Sequence, residues 1–294
     1  MRLVVLCNSI SGRGKGRQAV EKLLQELGGA GHEVTSLDVN RNTSRDEHLL
    51  AALRGAGALI VAGGDGTIHH AAPLAIEAGV PLLHFPLGTE NLFAREFGHL
   101  PDTASAIAAI NLAKPLRVDI GVCGTRPFML MASVGFDAFV VQRLAAARTG
   151  AISRLTYARH IIAEFLQARF IALTVCIDGR ERVRERPGMV VIANSRQYAG
   201  RLDPARRASM TDGRLDIVFL PIRSRSDIIR RSLQVMLGNH LNDPSVVYAS
   251  GTEVLLRPAT EAPIQLDGEY FGILPGQTDV PFSLRTGALN VLTG

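Results

Sequence analysis

Residues 58–77 read ALIVAGGDGTIHHAAPLAIE and carry three signals that decide the fold. The run Ala58–Ala62 is apolar without interruption, which is typical of a strand buried on both faces. The turn Gly63–Gly66 holds three glycines around a single acid, and such a turn favours a close approach of the backbone to another group. Ile68–Glu77 is then predicted to be a helix. A buried strand, a glycine turn and a helix in succession predict one repeat of an α/β fold.

The rest of residues 1–117 continues this alternation. Short apolar strands between helices predict a parallel sheet covered on both faces, and ligands of such sheets lie beyond the carboxyl ends of the strands. The other predicted strands are Leu3–Cys7, Glu33–Asp38 and Pro81–Phe85, and the other predicted helices are Arg17–Leu27 and Asp46–Leu53.

After Arg117 the pattern changes to strands separated by turn residues, which predicts a mainly antiparallel second domain. Two predicted helices interrupt it. One carries Leu155, Ala158, Ile162, Phe165 and Leu166 at helical spacing, and the other covers Asp227–Leu237. The predicted strands are Phe128–Ser133, Ile171–Ile177, Met189–Ala193, Leu215–Leu220 and Val254–Arg257.

The composition indicates a globular chain. Apolar residues make up 47% and charged residues 20% of the 294 residues, which excludes a disordered or fibrous chain. The three cysteines, Cys7, Cys123 and Cys176, cannot all pair, so we expect reduced core residues of a cytoplasmic protein. No window of about 18 residues is apolar and uncharged, so we expect no membrane-spanning helix.

The net charge is +5, and 29 of the 32 basic residues are arginine. Residues 143–231 hold 18 arginines and eight acids, whereas basic and acidic residues balance over residues 1–117. Anionic headgroups attract basic residues, so this surplus predicts peripheral contact with an anionic membrane surface. Genome composition remains an explanation for the preference for arginine over lysine. The absence of Trp and an aromatic content of 5% argue against a nucleic-acid partner that stacks its bases.

Two more small-residue turns follow predicted strands. In Asn8–Gly16, closely spaced glycines can turn backbone N–H groups inward as an anion nest in front of a helix. In Pro86–Asn91, Thr89 and Asn91 can hydrogen-bond a nucleotide or cap the next helix. The alternative for each is an ordinary turn. Because three such turns share one edge of the sheet, together they favour a phosphate site, with Asp65 available to Mg²⁺.

A fourth motif, Leu266–Glu269, lies far downstream. Its two carboxylates, Asp267 and Glu269, flank a glycine, and residues i and i+2 of a strand share a face. Such a pair can supply a general base and a metal-binding or orienting group. The alternative is a hairpin turn, in which Asp-Gly is common.

In this order, the four motifs resemble the diacylglycerol kinase catalytic-domain family. That family includes bacterial lipid kinases, and it is related to sphingosine and ceramide kinases and to the NAD-kinase superfamily. The resemblance extends over nearly the whole chain. Further landmarks in the same order are Asp119–Gly121, Gly135–Ala138, Asn194, Ser195, Gly200, Pro204 and Asp212–Asp216.

The resemblance implies an ATP-dependent kinase that phosphorylates a lipid hydroxyl in a cleft between an α/β domain and a β-sandwich domain. It implies a nucleotide-binding domain over residues 1–118 with the tail 283–294, and a lipid-substrate domain over residues 119–282. ATP and Mg²⁺ are the implied cofactors. The implied location is cytoplasmic and peripheral to a membrane, and a homodimer stays open.

The resemblance also implies residue roles. Glu269 matches the proton acceptor, Asp267 its neighbour near the metal, and Asp65 the residue that organises the catalytic magnesium. A structural magnesium of bacterial members would map to Ser209, Asp212 and the carbonyl of Arg214. The matching nucleotide residues are Asn8, Ser9, Ile10, Ser11, Gly12, Thr43, Gly63, Gly64, Asp65, Gly66, Thr67, Ile68, His69, His70, Thr89 and Asn91.

Four places depart from the family pattern. Ser9 stands where Pro is usual, His69 and His70 replace Asn-Glu, and Leu92 replaces Asp. Ser209 replaces a side chain that more often ligates the structural magnesium. Because the acids at positions 70 and 92 are missing, less negative charge is available to a metal ion. Two alternatives therefore stay open: a soluble-substrate kinase such as an NAD kinase, and a non-catalytic nucleotide-binding protein.

Overall fold

The computed structural model describes residues 1–8, 15–39, 44–147, 154–167 and 169–294. They form two compact units, one of Met1–Val118 with Gly287–Gly294 and one of Asp119–Thr286. Within the described ranges, no helix combines the length and the apolarity needed to span a bilayer.

The first unit alternates strands and helices. Its strands are β1 (Arg2–Cys7), β2 (Glu33–Asp38), β3 (Ala58–Gly63) and β4 (Leu82–Pro86), and its helices are α1 (Lys15–Gly29), α2 (Ser44–Leu53), α3 (Asp65–Ala78), α4 (Leu92–Phe97) and α5 (Thr103–Leu112). The strands stand in the order β4-β3-β1-β2, and these neighbours are all parallel. The predicted parallel sheet is therefore confirmed.

The apolar strands β1, β3 and β4 of this sheet are buried. All six residues of β3 are buried, and Ile60 belongs to one core cluster with Phe85, with Leu23 and Leu27 of α1, and with Ile110 of α5. Close packing of this kind holds the strand ends in a fixed arrangement.

The second unit is mainly antiparallel, as predicted. Two strands carry the chain between the units, β5 (Pro115–Cys123) and β15 (Val280–Leu292), and the others are β6 (Arg126–Phe128), β7 (Met131–Val134), β8 (Ile171–Ile177), β9 (Arg180–Ala193), β10 (Leu215–Pro221), β11 (Val247–Gly251), β12 (Val254–Pro258), β13 (Ala262–Leu266) and β14 (Glu269–Leu274). Neighbours along β14-β13-β7-β9-β8-β12-β15 are antiparallel, and β10 pairs with both β9 and β11.

Among the described residues of this unit, three α-helices accompany these strands: α6 (Phe136–Ala146), α7 (Arg154–Gln167) and α8 (Arg225–Leu237). The two helices predicted for this part of the sequence correspond to α7 and α8. On α7, however, Ile162 and Leu166 are 60% and 63% exposed, so part of the predicted apolar face points to solvent. The three cysteines are free, and burial raises the pKa of the Cys123 thiol to about 11.

Candidate active site

Asn8 joins the end of β1 to the turn that follows β3. Its backbone N–H donates to the carbonyl of Ala62 at 3.0 Å. Its Nδ2 donates to Oγ1 of Thr67 at 3.4 Å. The structure thus brings one predicted nucleotide residue of the first turn against another of the second. Of the other nucleotide residues predicted from the resemblance, Ser9, Ile10, Ser11, Gly12 and Thr43 lie outside the described residues.

Hydrogen bonds to the Gly63 carbonyl fix the turn from β3 into α3. The carbonyl of Gly63 accepts from the N–H of Leu87 at 2.8 Å and lies 3.0 Å from Nε2 of His84. A Cβ on Gly63 would lie 2.5 Å from Oγ1 of Thr67, so only glycine fits there. Because Leu87 follows β4, these contacts tie the second and third turns together.

The second and third turns also touch directly. A Cβ built on Gly88 would lie 2.7 Å from Cα of Gly64, so Gly88 has no room for a side chain, and a Cβ on Gly64 would lie 3.2 Å from Cα of Gly88. Asn91, at φ 49°, closes the third turn: its Oδ1 accepts from the N–H of Gly88 at 2.9 Å, and its Nδ2 donates to the Gly88 carbonyl at 3.0 Å. Thr89 is exposed between them. The predicted meeting of small-residue turns at one sheet edge is therefore a backbone-to-backbone contact.

Asp65 is the first residue of α3, where a carboxylate complements the positive end of the helix dipole. Its Oδ1 accepts from the backbone N–H of Phe93 at 3.1 Å, which links the start of α3 to the start of α4. Gly66 is exposed beside it, whereas Thr67 and Ile68 are buried at 5% and 2% exposure. Ile68 therefore packs in the core.

The structure gives reasons for two departures from the family pattern. Leu92 is 6% exposed and opens α4, so the position usually held by Asp is an apolar core position in this chain. His70 lies on the exposed side of α3, with Nε2 3.2 Å from Oδ1 of Asp46 in α2, and His69 beside it is half-buried. Both positions thus serve contacts within the unit.

The described residues contain no group of three or more His, Cys, Asp or Glu side chains placed to hold a metal ion. Mg²⁺ usually keeps several waters and binds one or two carboxylates together with substrate phosphates. Asp65 supplies one such carboxylate at the start of α3. Asp65 therefore fits a magnesium that arrives with a nucleotide.

His84 was not predicted as part of this edge. It is 1% exposed, and burial lowers the pKa of its imidazole to about 4. The ring is therefore neutral at pH 7, and Nε2–H donates to the Gly63 carbonyl. A lone His inside an apolar strand carries no sequence signal for this role, because the contact depends on the neighbouring strand.

In the second unit, Asp267 and Gly268 form the turn between β13 and β14, with φ values of 51° and 81°. The Asp267 carboxylate accepts three backbone N–H groups, from Met129 (2.7 Å), Leu130 (2.7 Å) and Met131 (3.0 Å). Both oxygens are engaged, so this side chain ties the hairpin to β7 and the residues before it. Glu269 opens β14 and is half-buried.

A polar network lies beneath this hairpin. Gln265 donates from Nε2 to Oγ of Ser133 at 2.8 Å, and that hydroxyl donates to Oδ2 of Asp137 at 2.6 Å. The hydroxyl of Tyr198 donates to the same oxygen of Asp137. Burial raises the pKa of Asp137, and the hydrogen bonds oppose this only in part. Asp137 belongs to a family landmark, but Gln265 was not predicted.

Other landmarks meet around Asp119. Its Oδ2 accepts from the N–H of Gly213 at 2.7 Å. Asn194, fully buried, donates from Nδ2 to the carbonyls of Asp119 and Met129, both at 2.7 Å. These contacts bring together landmarks that are far apart in the chain.

The residues predicted for a structural magnesium lie in one short segment of the chain, in which Asp212 and Arg214 are exposed and Ser209 is half-buried. Asp212 accepts on Oδ1 from the N–H of Arg214 at 3.0 Å, and Oγ of Ser209 lies 3.1 Å from Oγ1 of Thr211. These bonds organise the segment internally. One carboxylate, one hydroxyl and one carbonyl suit a hydrated Mg²⁺ only as part of its coordination shell.

Comparisons with known proteins agree with this arrangement. The family model of the diacylglycerol kinase catalytic domain matches residues 2–123, and that of the YegS C-terminal NAD kinase beta sandwich-like domain matches residues 131–293. A diacylglycerol kinase of Mycobacterium tuberculosis is 29% identical over 302 residues, covering 97% of this chain and 94% of that protein.

Two solved structures show a similar fold. A diacylglycerol kinase from Bacillus anthracis has a TM-score of 0.72 at 16% identity, covering 100% of this chain and 97% of that one. Yeast NADH kinase, complexed with NADH, has a TM-score of 0.55 at 11% identity, covering 99% and 82%. The NAD-kinase-like fold class is confirmed.

The YegS-type match spans more than half of the chain, and the catalytic-domain match spans most of the remainder. The two matches follow one another in the order of the two units. The chain therefore belongs to the diacylglycerol kinase catalytic-domain family and is an enzyme of the lipid kinase class.

Proposed function

We propose that this enzyme transfers the γ-phosphoryl group of ATP to the hydroxyl of a lipid of the diacylglycerol type. The observation that carries the proposal is the backbone contact of Gly64 with Gly88, where two strand-end turns meet beside Asp65. A surface of this kind leaves backbone N–H groups and the start of α3 accessible to phosphates. The family, and the name of the relative from M. tuberculosis, support the lipid acceptor.

The reaction transfers one phosphoryl group and releases one proton. The lipid oxygen bonds to the γ-phosphorus, the bond from that phosphorus to the bridging oxygen of ADP breaks, and the hydroxyl proton passes to a base. We assign the base to Glu269. A placed general base contributes about 10²–10⁴-fold to rate. The hairpin that carries Glu269 is held by the three N–H groups bound to Asp267, which supports a fixed position for the base.

The first unit would position the nucleotide. Phosphoryl transfer is catalysed mainly by orientation and by neutralisation of charge. Asn8, Gly64, Gly66 and Thr89 would contact the nucleotide, and the carboxylate of Asp65 would hold Mg²⁺. The ion, when bound, neutralises charge on the β- and γ-phosphates. The mechanism requires Asp65 and Glu269 to act on one reaction, so their substitutions should not be additive in rate.

The experiment is a phosphoryl-transfer assay with γ-labelled ATP and Mg²⁺. The acceptors are diacylglycerol, sphingoid bases, ceramide and phosphatidylglycerol in mixed micelles, with NAD as a soluble alternative. We expect label in at least one lipid. Label in NADP instead would favour the soluble-substrate alternative. ATP binding with no transfer to any acceptor would favour a non-catalytic protein, for which the buried Leu92 and the His70–Asp46 contact are the arguments.

The lipid acceptor also indicates the surface to which the enzyme binds. A long-chain lipid acceptor resides in a bilayer, and the arginine surplus of residues 143–231 favours an anionic one. We propose peripheral binding that weakens as salt rises, because added ions screen such attraction.

A further inference from the structure

The solvent face of helix α8 is apolar. Ile229, Leu233, Met236 and Leu237 are 52%, 47%, 59% and 70% exposed. Their spacing of i, i+4, i+7 and i+8 places them within an arc of about 100° around the helix. We call these four residues the α8 stripe. Single exposed apolar residues are normal, whereas a continuous stripe on one helix marks an interaction surface.

The stripe is not what holds α8 to the protein. The opposite face does this through the buried residues Ile228, Arg231 and Val235. The Arg231 guanidinium donates to Oδ2 of Asp243 and to Oγ of Ser245, both at 2.6 Å. The helix is therefore anchored on one side and apolar on the other.

Arginines border the stripe. Counting about 100° per residue, Arg225 lies at one edge of the arc and Arg230 at the other. Arg223 precedes the helix, and Arg206 lies beside Gly238 at its C-terminal end; all four arginines are exposed. The one acid in the helix sequence is Asp227, whose Oδ1 accepts from Arg230 at 3.1 Å. The surroundings of the stripe are therefore strongly basic.

A second apolar surface adjoins the start of α8. The Arg225 guanidinium donates to the carbonyl of Phe165 at 3.2 Å and to that of Leu166, at the end of α7. This is the helix on which Ile162 and Leu166 are exposed. The end of α7, which carries these exposed apolar residues, therefore lies close to the start of α8.

We propose that the α8 stripe, with the C-terminal turns of α7, docks the protein onto an anionic lipid bilayer. The apolar side chains would enter the boundary between headgroups and acyl chains while the arginines contact lipid phosphates. A second copy of the chain would bring its own arginines against these, and like charges oppose that pairing. The inference rests on the proposed function for one point, that the lipid acceptor is in a bilayer.

The chain has no Trp, so a single introduced Trp reports its surroundings without background. Leu237→Trp probes the stripe. Leu112→Trp, in the first unit on α5 and 50% exposed, is the matched control. With mixed phosphatidylcholine and phosphatidylglycerol vesicles we expect a blue shift and quenching by brominated acyl chains for Leu237→Trp alone. The response should weaken in pure phosphatidylcholine and at high salt.

Three results would overturn the proposal. One is no response of Leu237→Trp to the anionic vesicles, and another is an equal response of both variants. The third is a blue shift without vesicles that grows with protein concentration, which would assign the stripe to a second copy.

The double variant Leu233→Gln/Leu237→Gln tests affinity, with Leu100→Gln/Leu112→Gln as its control. Since all four side chains are exposed, both variants should keep the wild-type melting temperature. Only the α8 variant should bind anionic vesicles at least about tenfold more weakly in flotation. Unchanged flotation would contradict the docking surface. Transfer from ATP to a monomeric short-chain acceptor tests the proposed function separately, because it needs no bilayer.

Discussion

The side chain of Gln265 spans the Asp267–Gly268 turn, and its Oε1 accepts a hydrogen bond from the N–H of Gly268 at 2.7 Å. Glu269 is the next residue. On its other side, Gln265 donates through Nε2 to Ser133, which in turn donates to the buried Asp137. The proposed base therefore follows a turn whose backbone is fixed by a buried polar network.

We expect Gln265→Ala to lower kcat about tenfold and to leave the KM for ATP nearly unchanged, since a loss of about 1.4 kcal/mol in orientation corresponds to this factor. Gln277→Ala is the control, because Gln277 lies between β14 and β15 and donates to the Ala259 carbonyl, outside the Gln265–Ser133–Asp137 network. In a Glu269→Gln background, Gln265→Ala should have little further effect on kcat. An equally large loss there would show that Gln265 acts on folding and not through Glu269.

Substitution of Asp267 should lower stability, whereas substitution of Glu269 should lower activity. Asp267→Asn turns an amide toward three N–H donors, so we expect a loss of about 2–3 kcal/mol in the free energy of unfolding. Glu269→Gln should change that free energy by less than about 0.5 kcal/mol while lowering phosphoryl transfer. Urea unfolding and the kinase assay on both variants give the comparison. An Asp267→Asn protein as stable as wild type would refute the role of this carboxylate as a tie.

Gly88→Ala tests the contact between turns. Its new Cβ would lie 2.7 Å from Cα of Gly64, so the turns must separate. We expect ATP affinity to fall about tenfold by calorimetry, equivalent to about 1.4 kcal/mol. Gly28→Ala in α1 meets nothing within 4 Å and should stabilise the protein by up to about 1 kcal/mol with unchanged affinity. If Gly88→Ala bound ATP as tightly as wild type, phosphate binding at this edge of the sheet would be contradicted.

His84 predicts a pH dependence. Its pKa is lowered to about 4 in the folded chain, against an ordinary value near 6.5. Between these values the unfolded chain binds a proton that the folded chain does not, so acid favours unfolding. Over this interval the wild type should lose about 3 kcal/mol more than His84→Gln, which keeps a donor for the Gly63 carbonyl. Parallel pH profiles of the two proteins in urea unfolding would show that His84 is not buried as a neutral ring.

Local patterns predicted a large part of this fold. The run into Gly63–Thr67 identified β3 and α3, because a continuous apolar strand and a glycine turn are local signals. The antiparallel character of the second unit followed from strands separated by turn residues. The short helix α4 and the helix α5 were not predicted, although Asp102 caps α5 by accepting from the N–H of Ser105.

The supporting residues were beyond sequence reasoning. Gln265 and Ser133 are 132 positions apart, and His84 contacts Gly63 from the neighbouring strand, so neither contact has a local pattern. Leu92 could be recognised as a departure, but only its burial explains it. Helix α8 was predicted from the sequence, whereas the exposure of the four apolar residues of the α8 stripe is known only from the structure.

The most direct test of the central claim is single-turnover transfer from γ-labelled ATP to the lipid acceptor, measured for wild type and Glu269→Gln together with the Kd for ATP. We predict that transfer falls about 10²–10⁴-fold in the variant while the Kd stays within about twofold, because a general base acts on the acceptor and not on nucleotide binding. Transfer within about threefold of wild type would contradict the assignment of Glu269 as the base.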